Sequence, residues 1–169
     1  ALPVRTIQIQ SQLLPVGELV PLVYITERTL NKSTLENIPR LGERIADRIL
    51  RIADTIPFQE VQLDCKWNAN NQLRYFKLIR SIQEHLEEGQ QLSAMIYPHH
   101  IAGKKVLGIP PVSRTMLMLA QVNDIQQVYE TQSLIHVKSI LEQIREAESY
   151  PLPLDVSLPV FSWGMVIRN

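Results

Sequence analysis

Val61-Gln62-Leu63-Asp64-Cys65-Lys66-Trp67 is the stretch on which the fold turns. Side chains alternate along an extended chain, so Val61, Leu63, Cys65 and Trp67 share one face and Gln62, Asp64 and Lys66 the other. In an open doubly wound sheet, helices cover both faces of a central strand, and all three polar side chains would be buried beneath one. Burying an unpaired charge is costly. A β/α barrel has helices on the outside only, and polar groups can line the mouth of its interior. The stretch therefore predicts a barrel-type strand, with Cys65 toward the helices and Asp64 and Lys66 toward the interior.

The flanking sequence supplies the matching elements. Apolar residues Ile38, Leu41, Ile45, Ile49, Ile52 and Ile56 recur at steps of three and four and form one stripe of a helix. Ser33 or Thr34 offers its N-cap, Pro39 sits in the first turn, and Pro57 ends it. A second helix is predicted over 72–88, with Leu73, Phe76, Ile79, Ile82 and Leu86 on one face and Gly89 just past its end. A third is predicted over 133–149. Strands are predicted over 4–10, 19–26, 58–67, 92–97, 115–122 and 154–163. The near-continuous apolar run over 19–26 reads as a strand covered on both faces. Residues 101–114, with Gly103, Gly108, Pro110 and Pro111, read as a loop.

Strands alternating with helices predict an α/β fold with a mostly parallel sheet, in a single domain over 1–169. A complete eight-unit barrel typically takes about 250 residues. About six strands and three main helices fit a partial or truncated barrel, or one completed by a second copy of the chain.

Composition narrows the function. With 17 basic and 17 acidic residues the formal net charge is +0, which argues against general nucleic-acid binding. A single Cys excludes an internal disulfide framework and a thiolate zinc cluster. No apolar run is long enough for a spanning helix. Neither G-x-G-x-x-G nor G-x-x-x-x-G-K occurs, so no nucleotide cofactor is expected, and no other cofactor is indicated. The G-x-S-x-G elbow is also missing. His99 and His100 are adjacent on a predicted strand end and point to opposite sides, which does not suit a metal pair.

Several segments together resemble a family of uncharacterised bacterial proteins with a glycoside-hydrolase-like TIM barrel. They are residues 61–67, Arg74-Tyr75-Phe76, residues 92–96, Gly108-Ile109-Pro110-Pro111-Val112, Met116-Leu117-Met118, residues 150–156 and Phe161-Ser162-Trp163-Gly164. The likeness spans most of the chain from about Leu19 onward. It implies a carbohydrate-related function, a natural chain that continues past Asn169, and export as a periplasmic or cell-envelope lipoprotein. The family pattern has Asp where Lys66 stands, a basic residue at Tyr97, Asp at Ser113 and Asn at Gln121. Several polar positions at the expected mouth thus differ together, which implies a domain that has lost catalysis.

If the domain is active, Asp64 and Asp155 are the candidate acid/base and nucleophile, with Glu27 the next candidate partner for Asp64. Glycosidases hold such a pair about 5–5.5 Å apart for retention or about 6.5–9.5 Å for inversion. The competing reading is an Asp64–Lys66 ion pair within a polar interior layer. Lys66 as a Schiff-base amine is disfavoured, because Asp64 beside it would keep it charged. Candidate ligand contacts are Glu27, Lys66, Trp67, Tyr97, His99, Gln121 and Trp163, since aromatic faces stack on the apolar C–H face of a sugar ring. For Trp67, packing between strand and helix is the alternative; for His99, an ordinary loop hydrogen bond. Cys65 is expected to be buried and inert, and Met95, Met116 and Met118 to fill core gaps. The expected partner is an oligosaccharide. The rival function is a non-enzymatic binding or assembly module, completed by self-association into a homodimer because an open sheet edge must be covered.

Overall fold

The computed structural model describes residues 19–53, 57–119 and 137–158. The predicted strand over 4–10, and the positions Gln121 and Trp163, lie outside the described residues. Among the described residues five strands form one sheet: β1 (Leu22–Tyr24), β2 (Glu60–Asp64), β3 (Gln91–Ile96), β4 (Arg114–Met118) and β5 (Leu154–Ser157). All pair in parallel, and their order across the sheet is their order in the chain. A doubly wound sheet reverses its strand order partway; the described strands do not. Six helices among the described residues connect these strands: α1 (Glu27–Lys32), α2 (Ile38–Ala53), α3 (Gln72–Gln83), α4 (Pro98–Ala102), α5 (Lys104–Leu107) and α6 (Val137–Ala147). No helix among the described residues is long and apolar enough to cross a membrane.

The two faces of the sheet differ in kind. Val61, Leu63 and Cys65 of the β2 segment, Leu92 and Ile96 of β3, and Leu117 and Leu119 from the β4 segment join one core. Ile38, Ala46 and Ile49 of α2, Tyr75, Leu78, Ile79 and Ile82 of α3, and Ala147 of α6 complete it. Burying large apolar side chains completely contributes about 1.5–3 kcal/mol each, so this face carries most of the stability. The register puts Leu22 and Tyr24, Gln62 and Asp64, Ser93 and Met95, Arg114 and Met116, and Asp155 and Ser157 on the other, polar face. Cys65 is fully buried toward the helices, on the side the alternation assigns to it.

The α2–α3 contact depends on a small residue. Gly42 of α2 lies directly against Ser81 of α3, where any Cβ would collide with the Ser81 side chain. Ser81 in turn donates its hydroxyl to the Pro39 carbonyl at 3.0 Å, tying the start of α2 to α3.

Several expectations need correction. The 19–26 run is not covered on both faces: β1 has one neighbour among the described strands, and Leu22 and Tyr24 are 50% and 63% exposed. Residues 27–32 form α1, capped by Thr26, whose hydroxyl accepts from the Thr29 amide at 3.2 Å. The expected loop after Ile101 contains the end of α4 and all of α5; Pro98 occupies the first turn of α4, where its missing N–H costs nothing. Helix α3 stops at Gln83, and Gly89, at φ 90°, turns the chain into β3. Met95 is buried as expected, but it and the half-buried Met116 share the polar face rather than the helix-side core.

Candidate functional site

Parallel α/β sheets present ligand-binding groups at the C-terminal ends of their strands. Here those ends bring together Tyr24, Asp64, Lys66, Tyr97 and His99. Tyr24 and Asp64 are register partners on β1 and β2, and Asp64 is the partner of Met95 on β3. Tyr97, two residues past Met95 and on its face, donates its hydroxyl to the Asp64 carboxylate at 2.9 Å. The Lys66 ammonium stands over the same tyrosine ring, 4.9 Å from its centroid. His99 stacks beside it, with centroids 5.9 Å apart and planes 12° apart.

Tyr97 therefore separates two charges that the sequence places side by side. Its hydroxyl engages Asp64 and its ring engages Lys66. No Asp64–Lys66 ion pair forms, and among the described residues no carboxylate lies within 4.0 Å of Lys66. Burial, together with the bond to Asp64, pushes the Tyr97 phenol well above its ordinary pKa, so it stays a neutral donor.

Beneath Tyr97 lies a rigid base. The His100 ring is buried and stacks on Trp67, with centroids 3.6 Å apart and planes 8° apart. Its Nδ1 accepts the Tyr97 amide at 3.1 Å, which leaves the proton on Nε2 to be donated to the Trp67 carbonyl, also at 3.1 Å. Burial, and to a lesser degree His99, lowers its pKa to about 3. Trp67 packs its other side against Tyr75 at 5.2 Å and donates its indole N–H to the Leu107 carbonyl at 2.9 Å. At 1% exposure Trp67 offers no surface to a ligand; it is on the same face as Cys65 and belongs to the core. Burial, and secondarily Lys66, lowers the His99 pKa, which favours a neutral ring at the surface.

Glu27 opens α1 directly after β1, and its carboxylate accepts from the Asn68 side-chain amide at 2.6 Å. Asn68 also accepts from the Asn70 amide, and Asn71 fastens the start of α3 to Asn31 of α1 at 3.1 Å. These amides fix the loop after Lys66. Cys65 lies on the far side of the strand; burial, then the charges of Asp64 and Glu27, pushes its thiol up to about 12, which leaves it unreactive.

Asp155 is placed differently. It shares the polar face and the same row as Asp64, but Met95 and Met116 intervene. Three interstrand steps of about 4.8 Å put the two aspartates roughly 14 Å apart along the sheet. Asp155 is bound by the Arg114 guanidinium, which also meets Glu60 at 3.5 Å. The strand ends thus assemble Asp64, Lys66, Tyr97 and His99, with Glu27 on the adjoining helix. They leave Asp155 in a separate ion cluster and Trp67 in the core. Tyr24 was not among the sequence candidates, although alternation within the 19–26 run already puts it opposite Val23 and Ile25.

Among the described residues no group of three or more His, Cys, Asp or Glu side chains could hold a metal ion. No family model, curated protein or solved structure matches the chain.

Proposed function

We propose that the chain is a barrel-type, glycoside-hydrolase-like domain that binds an oligosaccharide at the C-terminal strand ends without hydrolysing it. The observation that carries this reading is the Tyr97–Asp64 hydrogen bond on the polar face, next to the exposed ring of Tyr24. An acidic acceptor beside an exposed aromatic ring suits a sugar, which offers hydroxyl donors at its rim and an apolar C–H face. Lys66 and His99 add polar partners around the same point. The consecutive parallel strand order supports the barrel-type part of the proposal, and the family likeness supports the sugar.

The carboxylates favour binding over hydrolysis. Glycosidic cleavage needs a second carboxyl within about 10 Å of the first. Asp155 is three strands farther on and held by Arg114, while Glu27 is occupied by Asn68.

Titration of the protein with a panel of neutral and acidic oligosaccharides, followed by amide and aromatic NMR shifts, tests the reading. Shifts should gather on Tyr24, Asp64, Lys66, Tyr97 and His99. Asp64→Asn and Tyr24→Ala should each weaken binding at least about tenfold, the loss expected for one charged hydrogen bond or one stacked ring. Shifts confined to the helices, or none with any sugar, would overturn it. Release of reducing ends that Asp64→Asn abolishes would replace binding with catalysis.

A further inference from the structure

Lys66 is the cation of this site that has no carboxylate within 4.0 Å among the described residues. The two acids of the site are held by neutral donors instead: Asp64 by the Tyr97 hydroxyl and Glu27 by the Asn68 amide. The Lys66 side chain is exposed, and its ammonium is held over the Tyr97 ring rather than extended into solvent at random. A ring below an ammonium attracts it through the quadrupole but leaves its outward N–H groups available. Tyr97 is itself fixed by the His100–Trp67 stack beneath it, so the cation rests on a rigid support.

The groups around the ammonium complement a particular kind of sugar. Tyr24 offers an exposed aromatic face, Asp64 accepts hydroxyl protons, and His99 beside Tyr97 offers a ring nitrogen. A neutral hexose uses all of these but offers Lys66 only an uncharged hydroxyl oxygen. A uronate ring supplies the same hydroxyls and C–H face, plus a carboxylate on C5 that can meet the ammonium.

Building on the oligosaccharide reading above, we propose that the ligand is a uronic-acid-containing saccharide, its carboxylate received by Lys66 while its hydroxyls face Asp64 and His99. A hydrogen bond between two charged groups that exists only in the complex gives selectivity, because the neutral sugar offers the ammonium no opposite charge.

Isothermal titration calorimetry with an oligogalacturonate, the matching neutral galacto-oligosaccharide and a sulfated oligosaccharide tests this. The wild-type protein should bind the galacturonate about tenfold or more tightly than the neutral sugar, the gain expected of one charge-assisted hydrogen bond. Lys66→Met should bring the two to parity, weakening the galacturonate about tenfold more than the neutral sugar. Lys66→Arg should keep the preference, and so should Arg80→Gln, which removes an exposed cation from α3. Far-ultraviolet circular dichroism of Lys66→Met identical to wild type separates lost recognition from lost structure. Equal binding of charged and neutral sugars by the wild type would overturn the assignment of Lys66 while leaving the oligosaccharide reading intact. Preference for the sulfated sugar would overturn the carboxylate. Failure of all three sugars to bind would remove the underlying reading as well.

Discussion

Around Arg114 the polar face gathers opposite charges from three strands: Glu60 opens β2, Arg114 opens β4, and Asp155 lies in β5. Around Lys66 the same face does the reverse. An acid and a base only two residues apart are kept from pairing by Tyr97, and the base is left over an aromatic ring. The first cluster is closed and asks nothing of a ligand. The second is open and carries the groups a ligand would need. Proximity in sequence thus says little about which charges neutralise each other in a sheet, because a strand sends i and i+2 along one face about 7 Å apart, while the neighbouring strand is only about 4.8 Å away.

The open end depends on what lies beneath it, and removing that support gives the largest effect. Trp67→Ala deletes a ring stacked between Tyr75 and His100 and abandons the Leu107 carbonyl. Large aromatic-to-alanine changes in a core cost about 3–5 kcal/mol. Urea denaturation should show a loss in that range, with Tyr97 and His99 resonances shifted. A loss below about 1 kcal/mol would mean that Trp67 is not the platform of the site.

Acid should loosen the same platform before it touches the rest of the sheet. The folded-state pKa of His100 is about 3, below its ordinary 6.5, so the unfolded chain binds its proton first as pH falls. Stability from this group is therefore complete above about pH 6.5 and falls by up to about 1.4 kcal/mol per pH unit below it, down to the folded-state pKa. By pH 5 the loss reaches about 2 kcal/mol. Nδ1 faces the Tyr97 N–H, so a proton there would set donor against donor. His100→Gln keeps a donor and an acceptor but does not titrate. Denaturant midpoints at pH 7 and pH 5 should therefore fall less in the variant than in the wild type; equal falls would assign the acid sensitivity to other groups.

How much of this was legible in the sequence depends on the range of the interaction. Alternation in Val61–Trp67 is a local signal, and it assigned Cys65 to the helices and Asp64 to the other face. Periodicity likewise located α2 and α3, because an apolar stripe is written along one helix. The Tyr97–Asp64 bond joins residues 33 apart, and the Arg114–Asp155 contact joins residues 41 apart. Neither leaves a pattern in either segment. Pairing Asp64 with Asp155 by strand position missed the two methionine-bearing strands between them, since strand order was known only as a class. Tyr24 escaped because its run was read as apolar throughout, when edge position exposes one face. Helix α4 was hidden by length: five residues after a proline carry no stripe.

The smallest effects draw the sharpest line between the two charged clusters. Arg114→Met breaks contacts to Glu60 and Asp155 whose side chains are 16% and 46% exposed, with Arg114 itself at 44%. Exposed pairs of this kind are worth about 0–1 kcal/mol each. The variant should lose about 1 kcal/mol, and the loss should shrink as salt is raised from 0.05 M to 1 M, where the screening length falls to about 3 Å. Lys66→Met breaks no ion pair and buries nothing, so its stability should stay within about 0.5 kcal/mol of wild type at every salt concentration. The two substitutions remove the same charge from the same face of one sheet. If Lys66→Met proves as costly and as salt-sensitive as Arg114→Met, Lys66 is neutralised within the fold and the distinction between a closed and an open cluster disappears.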